Sequence, residues 1–141
     1  MKKSYSIIVQ KCKNLIGYLD AMFKIEPHGV QVEVFSQIKF YLNKYIENEQ
    51  NLNNVCYLKN LDSFIDLIFI NENFILSNYE KRRDNLSAFH VFKLISLSKK
   101  IDRTNKCLEI INKIKIQYRE LKNLICNEYL NNDELKLNSL F

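Results

Sequence analysis

The residues of this chain best suited to chemistry are Arg83 and His90, within the run Arg83-Asp84-Asn85-Leu86-Ser87-Ala88-Phe89-His90. A guanidinium is always charged and can hold a phosphate, and an imidazole can move a proton near neutral pH. Six residues separate the two, so one helix would carry them about two turns apart on a single face. Other inventories fail on counting. Two histidines, His28 and His90, do not supply a three-ligand zinc site, and Cys12, Cys56, Cys107 and Cys126 stand 44, 51 and 19 residues apart, with no CxxC or HExxH spacing. The glycine-rich phosphate loops and the GxSxG elbow are missing from the sequence. No metal and no cofactor are therefore expected.

The Arg83 to His90 segment resembles the R-x(4 to 6)-H motif of HEPN ribonucleases, which are small helical bundles. The resemblance covers eight residues of the chain, and Asp84 follows the arginine. It implies a metal-independent ribonuclease in which Arg83 and His90, paired across a dimer, cleave RNA at the 2′-hydroxyl. His28, beside Glu26 and Pro27, reads as a turn residue and is given no role.

Charge is the second feature with chemical content. The net charge of +5 is segregated: residues 25–80 carry eight acidic and three basic side chains, whereas residues 81–106 carry eight basic and two acidic ones. The basic set is Lys81, Arg82, Arg83, Lys93, Lys99, Lys100, Arg103 and Lys106. Of these, Lys81, Arg82, Arg83, Lys99, Lys100 and Arg103 are the candidate contacts for an anionic partner. Another reading is that Lys99 and Lys100 complement a helix C-terminus while Lys81 to Arg83 keep a loop solvated. Nucleic-acid binding also calls for aromatic rings exposed among the cations, as stacking platforms, and Phe89 and Phe92 are expected to be buried.

The elements that position these residues are read from periodicity. Tyr5, Ile8, Cys12, Leu15, Leu19 and Met22 alternate in threes and fours, which predicts a helix over 3–24. It ends at Glu26-Pro27-His28-Gly29, where proline pushes its predecessor out of the helical region. Phe35, Ile38, Leu42 and Tyr45 or Ile46 predict a second helix over 30–48, although the alternation of Val30, Val32 and Val34 leaves a short strand at 30–34 open. Asn48 to Asn54 reads as a loop. Leu58, Leu61, Ile65 and Ile68 predict a third helix, on whose apolar face Glu72 would fall. A hairpin at 67–76 is the alternative, disfavoured because isolated two-stranded hairpins are marginal. Residues 86–98 are apolar around most of their circumference, so they predict a fourth, central helix with Asp84 or Asn85 as its cap. Cys107, Ile111, Ile114, Tyr118, Leu121 and Ile125 predict a fifth, capped by Thr104.

The expected fold is thus all-α, a compact bundle of about five helices formed by one domain over 1–130, with a polar tail at 131–141. Two glycines and one proline in 141 residues are too few breakers for a sheet-rich chain of this length. Lysines interrupt the apolar stretch after the basic N-terminus, and no run of eighteen apolar residues exists. Neither a signal peptide nor a membrane span is expected, and the cysteines read as reduced thiols of a cytoplasmic protein, or of a host-cell interior for a viral one. The abundance of Asn, Lys and Ile fits an AT-rich genome. By elimination, the leading expectation is a non-enzymatic helical interaction module that binds a protein partner, of inhibitor, immunity or adaptor type. Seams as regular as those of the first and last helices would also serve a homodimer. A HEPN-like ribonuclease, or an RNA-binding protein using segment 81–106, is the alternative.

Overall fold

The structure, a computed structural model, describes residues 2–25, 29–47, 56–58 and 60–129. The expected turn at Glu26 to His28, the loop at Asn48 to Asn54 and the tail at 131–141 lie outside the described residues. The described chain is helical throughout its regular structure: α1 (Lys2–Ile25), α2 (Gly29–Glu47), α3 (Leu61–Asp84) and α4 (Val91–Tyr129). Among the described residues no helix is long and apolar enough to cross a membrane.

The three-four spacings become the core. In α1, Ile8, Cys12, Leu15, Leu19 and Met22 are buried; in α2, Val34, Phe35, Ile38, Leu42 and Tyr45; in α3, Leu61, Ile65 and Ile68, joined by Leu58 from the preceding turn. From α4 come Cys107, Ile111, Ile114, Tyr118, Leu121 and Ile125. An average spacing of 3.5 residues keeps each seam facing its neighbours over several turns, as in left-handed coiled packing. Each fully buried aliphatic side chain contributes roughly 1.5–3 kcal/mol of hydrophobic stabilisation. Burial pushes the Cys12 thiol up to about 12, so it remains a neutral, small hydrophobe. Burial, with the Asp62 and Cys12 charges as smaller contributors, also raises the Tyr118 phenol; its hydroxyl donates to the Leu58 carbonyl at 3.0 Å.

The helices are arranged in a ring, α1 beside α2, α2 beside α3, α3 beside α4 and α4 beside α1. Cross-helix pairs fix their antiparallel sense. Asp62 meets Lys122 at 2.5 Å and Asp66 meets Lys115 at 3.7 Å along α3 and α4. Tyr41 stacks on Phe64 while Gln31 reaches Glu72 along α2 and α3. Lys11 joins Glu120 at 2.8 Å between α1 and α4, and Lys39 joins Asp20 at 2.6 Å between α1 and α2. Solvent reaches all four ion pairs, which contribute at most about 1 kcal/mol each; their main information is register.

Among the described residues four helices stand where about five are expected, because α4 runs unbroken over Val91–Tyr129 and joins the last two expected segments. Thr104 is fully buried, and its hydroxyl donates to the Lys100 carbonyl at 2.9 Å. It therefore bonds back along a continuing helix instead of capping a new one. No Gly or Pro interrupts 91–129, and Leu97, Ile101, Thr104 and Cys107 carry the seam across the expected break. The strand open at 30–34 and the hairpin open at 67–76 are both helix, and α3 runs unbroken through Asn71 to Asn73. Gly29, expected to supply a turn, is the first residue of α2.

Candidate functional site

A 39-residue helix cannot be covered by partners of 24, 19 and 24 residues. Lys11 lies opposite Glu120, so the antiparallel α1 runs out near Thr104, and α2 starts beside Glu72, where Gln31 is. Beyond Glu72 and Thr104, among the described residues, only α3 and α4 continue. The α3 residues 73–84 and the α4 residues 91–103 form a two-helix arm about 18–20 Å long at 1.5 Å per residue.

A polar layer marks the junction. Gln31 and Glu72 are both buried. The Gln31 amide donates to the Ile68 carbonyl and to Glu72 Oε1, each at 3.3 Å, and the Asn71 amide donates to Gln31 Oε1 at 3.4 Å. Glu72, placed on the apolar face by its spacing, is the last buried residue of α3.

The arm has a thin interior. Leu97 and Ile101 are buried, with Ile75, Leu76, Tyr79, Leu86 and Leu94 half-buried. Its tip is the reverse of a core: Phe89 is 96% exposed and Phe92 89%, with Val91 and Ile95 also exposed. The expectation that 86–98 form a central helix with buried phenylalanines is therefore overturned. Apolar side chains around most of the circumference need neighbours on several sides, and among the described residues only α3 lies alongside.

The seams continue into the arm, but their chemistry changes. Stepping back in sevens from Leu121 through Ile114 and Cys107 reaches Lys100, half-buried, and Lys93, exposed; beyond Glu72 the α3 pattern runs through the half-buried Ile75 and Tyr79 to the exposed Arg82, with Leu86 following in the turn. Arg82, Lys93 and Lys100 accordingly line one groove between the helices, of about 420 Å³, with Asn85, Leu86, Ser96 and Leu97. The Lys100 ammonium lies 5.7 Å from the Tyr79 ring centroid, a cation–π contact between α4 and α3. Ser96 also borders a second groove of about 380 Å³, lined by Lys99, Asp102, Arg103 and Lys106.

Of the cations singled out from sequence, Arg82 and Lys100 share the first groove and Lys99 and Arg103 the second, while Lys81 and Arg83 line neither. Lys99 and Lys100 lie inside α4 and complement no helix end; the last turn of α3 instead holds Lys81, Arg82 and Arg83. Lys93 and Lys106 complete the grooves, and a continuous seam through Thr104 is the sequence signal that marks Lys93. Asp84 and Asn85 end α3, with the Asn85 N–H donating to the Lys81 carbonyl at 3.2 Å, so neither caps the next helix.

Arg83 lies in the last turn of α3 and His90 ends the six-residue turn that precedes α4, so the two do not share one helical face. Arg83 Nε lies 3.7 Å from Asp84 Oδ1. His90 Nδ1 is 3.0 Å from Ser87 Oγ, and its carbonyl accepts from the Leu94 N–H at 2.9 Å. Both side chains are exposed. Among the described residues no three His, Cys, Asp or Glu side chains converge as a metal site. Comparison with family models, curated proteins and solved structures finds no match to this chain.

Proposed function

We propose that this protein is a non-enzymatic interaction module whose four-helix bundle serves as the base for a recognition arm, and that the arm binds an anionic, partly apolar protein surface. One observation carries the reading: Phe89, Val91, Phe92 and Ile95 are exposed together at the end of an arm whose groove is lined by Arg82, Lys93 and Lys100. Exposed aromatics within a cationic rim match the make-up of energetic centres in protein interfaces. Three cations around one groove repel each other, and a partner's carboxylates relieve that repulsion while steering association. The aliphatic members favour protein, since Val91 and Ile95 offer a nucleobase no face on which to stack.

Proximity labelling from the intact chain tests this. Proteins enriched by the wild type should lose enrichment with Phe89→Ser/Phe92→Ser and with Arg82→Glu/Lys93→Glu, while circular dichroism and thermal unfolding stay unchanged. Identical enrichment by wild type and both variants would remove the arm from recognition.

A second reading, contact with single-stranded RNA at the same tip, is favoured by the exposure of Phe89 and Phe92, which are available as stacking faces beside cations. It calls for salt-dependent RNA retention by the wild type. The ribonuclease form calls further for cleavage that is abolished by Arg83→Ala or His90→Ala.

A further inference from the structure

We propose that the element bound by the arm is a single acidic amphipathic α-helix, seated in the groove between α3 and α4 beyond the ends of α1 and α2. This rests on the proposed function and specifies the partner's chemistry.

Among the described residues the cross-section falls from four helices to two at Glu72 and Thr104, yet the arm keeps an apolar interior through Leu97 and Ile101. Leu86 and Leu97 line the groove, and elsewhere in the arm Ile101 is buried and Ile75 and Tyr79 are half-buried. At the seven-residue repeat that holds Cys107, Ile114 and Leu121 in the bundle, the arm holds Lys100 and Lys93, which line the open groove together with Arg82. A purely apolar helix laid there would bury three cations without counter-charges, a heavily disfavoured arrangement. Lys93 and Lys100 are seven residues apart, about 10.5 Å along the axis. The matching helix therefore carries carboxylates two turns apart, flanking an apolar stripe that meets Leu86 and Leu97.

Charge also argues against a second copy of this chain. Two arms would set Lys93 and Lys100 against their own kind. Four carboxylates of the bundle, Asp20, Asp62, Asp66 and Glu120, are held by lysines across helices, and Glu33 and Glu109 are single exposed acids on different helices, not a pair two turns apart beside an apolar stripe. An extended RNA strand would satisfy the cations and leave the Leu86 and Leu97 surface uncovered.

The full chain is titrated with three probes: a synthetic peptide of about three heptads with a leucine stripe flanked by glutamates, a peptide of the same composition with that segregation scrambled, and single-stranded oligouridylate. The segregated peptide should gain helix on binding and bind at least about tenfold tighter than the scrambled one, roughly a 1.4 kcal/mol difference. Lys93→Glu/Lys100→Glu should lose that preference and regain it for a peptide with lysine in place of glutamate. Lys93→Gln/Lys100→Gln, which removes charge without reversing it, serves if the first variant unfolds. Equal binding of the two peptides overturns the helix and leaves the acidic protein partner standing. Retention of the oligouridylate alone overturns both, and binding of no probe overturns the helix.

Discussion

Ile111→Ala should lower the free energy of unfolding by about 2–5 kcal/mol, read from urea titration. Ile111 is fully buried in the middle of the α4 seam, where the four-helix cross-section is complete. The cost combines lost transfer free energy with a cavity that surrounding helices fill only in part. Phe92→Ala, a larger truncation in the same helix, should change stability by less than about 0.5 kcal/mol, because a side chain 89% exposed gives up almost no burial. Comparable losses for the two would mean that the tip is packed and the arm does not stand alone.

The second large effect lies in the polar layer at the base of the arm. Gln31→Leu removes an amide hydrogen bond from a buried carboxylate and should cost about 1–3 kcal/mol. Gln31→Leu/Glu72→Leu, which makes the layer apolar, should recover most of that loss or exceed the wild type, since paired polar groups in a core are often no better than well-packed hydrophobes. The strong coupling between the two sites is the diagnostic feature, and a double-mutant cycle measures it. The apolar double variant should also run as mixed oligomers in size exclusion. A buried polar pair specifies which helices meet and in what register, and without it the seams of α2 and α3 can slide. An additive cycle would show that Gln31 and Glu72 do not act as a unit.

The bundle is legible in the sequence because a helical seam is local information. Ile8 through Met22, Phe35 through Tyr45 and Cys107 through Ile125 each announce their buried face by spacing alone, and Glu72 announces its awkward place on such a face. Continuity across residues 99–104 is less legible. Two lysines followed by a threonine look like one helix ending and another beginning, yet a threonine hydroxyl can equally bond to the carbonyl four residues back, and only the seam through Leu97, Ile101 and Thr104 separates the two cases. The exposure of Phe89 and Phe92 depends on that same point. Apolar content records what a helix would bury, whereas burial depends on how many neighbours reach it. A 39-residue helix beside a 24-residue α1 and a 19-residue α2 must outrun them, so joining the last two segments is what turns an apparent central helix into an arm. Arg83 and His90 look like a helical pair until Asp84 and Asn85 are read as the end of α3. Their charge and ionisable ring survive that change, but their shared face does not.

Native-state hydrogen exchange along α4 tests the division into base and arm most directly. Amides of 104–125, beneath the four-helix core, should exchange only through global unfolding. Those of 91–103 should open separately and at lower free energy, because one neighbouring helix and two buried side chains hold them. Adding the segregated acidic peptide should raise protection of 91–103 selectively. Uniform protection along the whole of α4 in the free protein would contradict an independent arm.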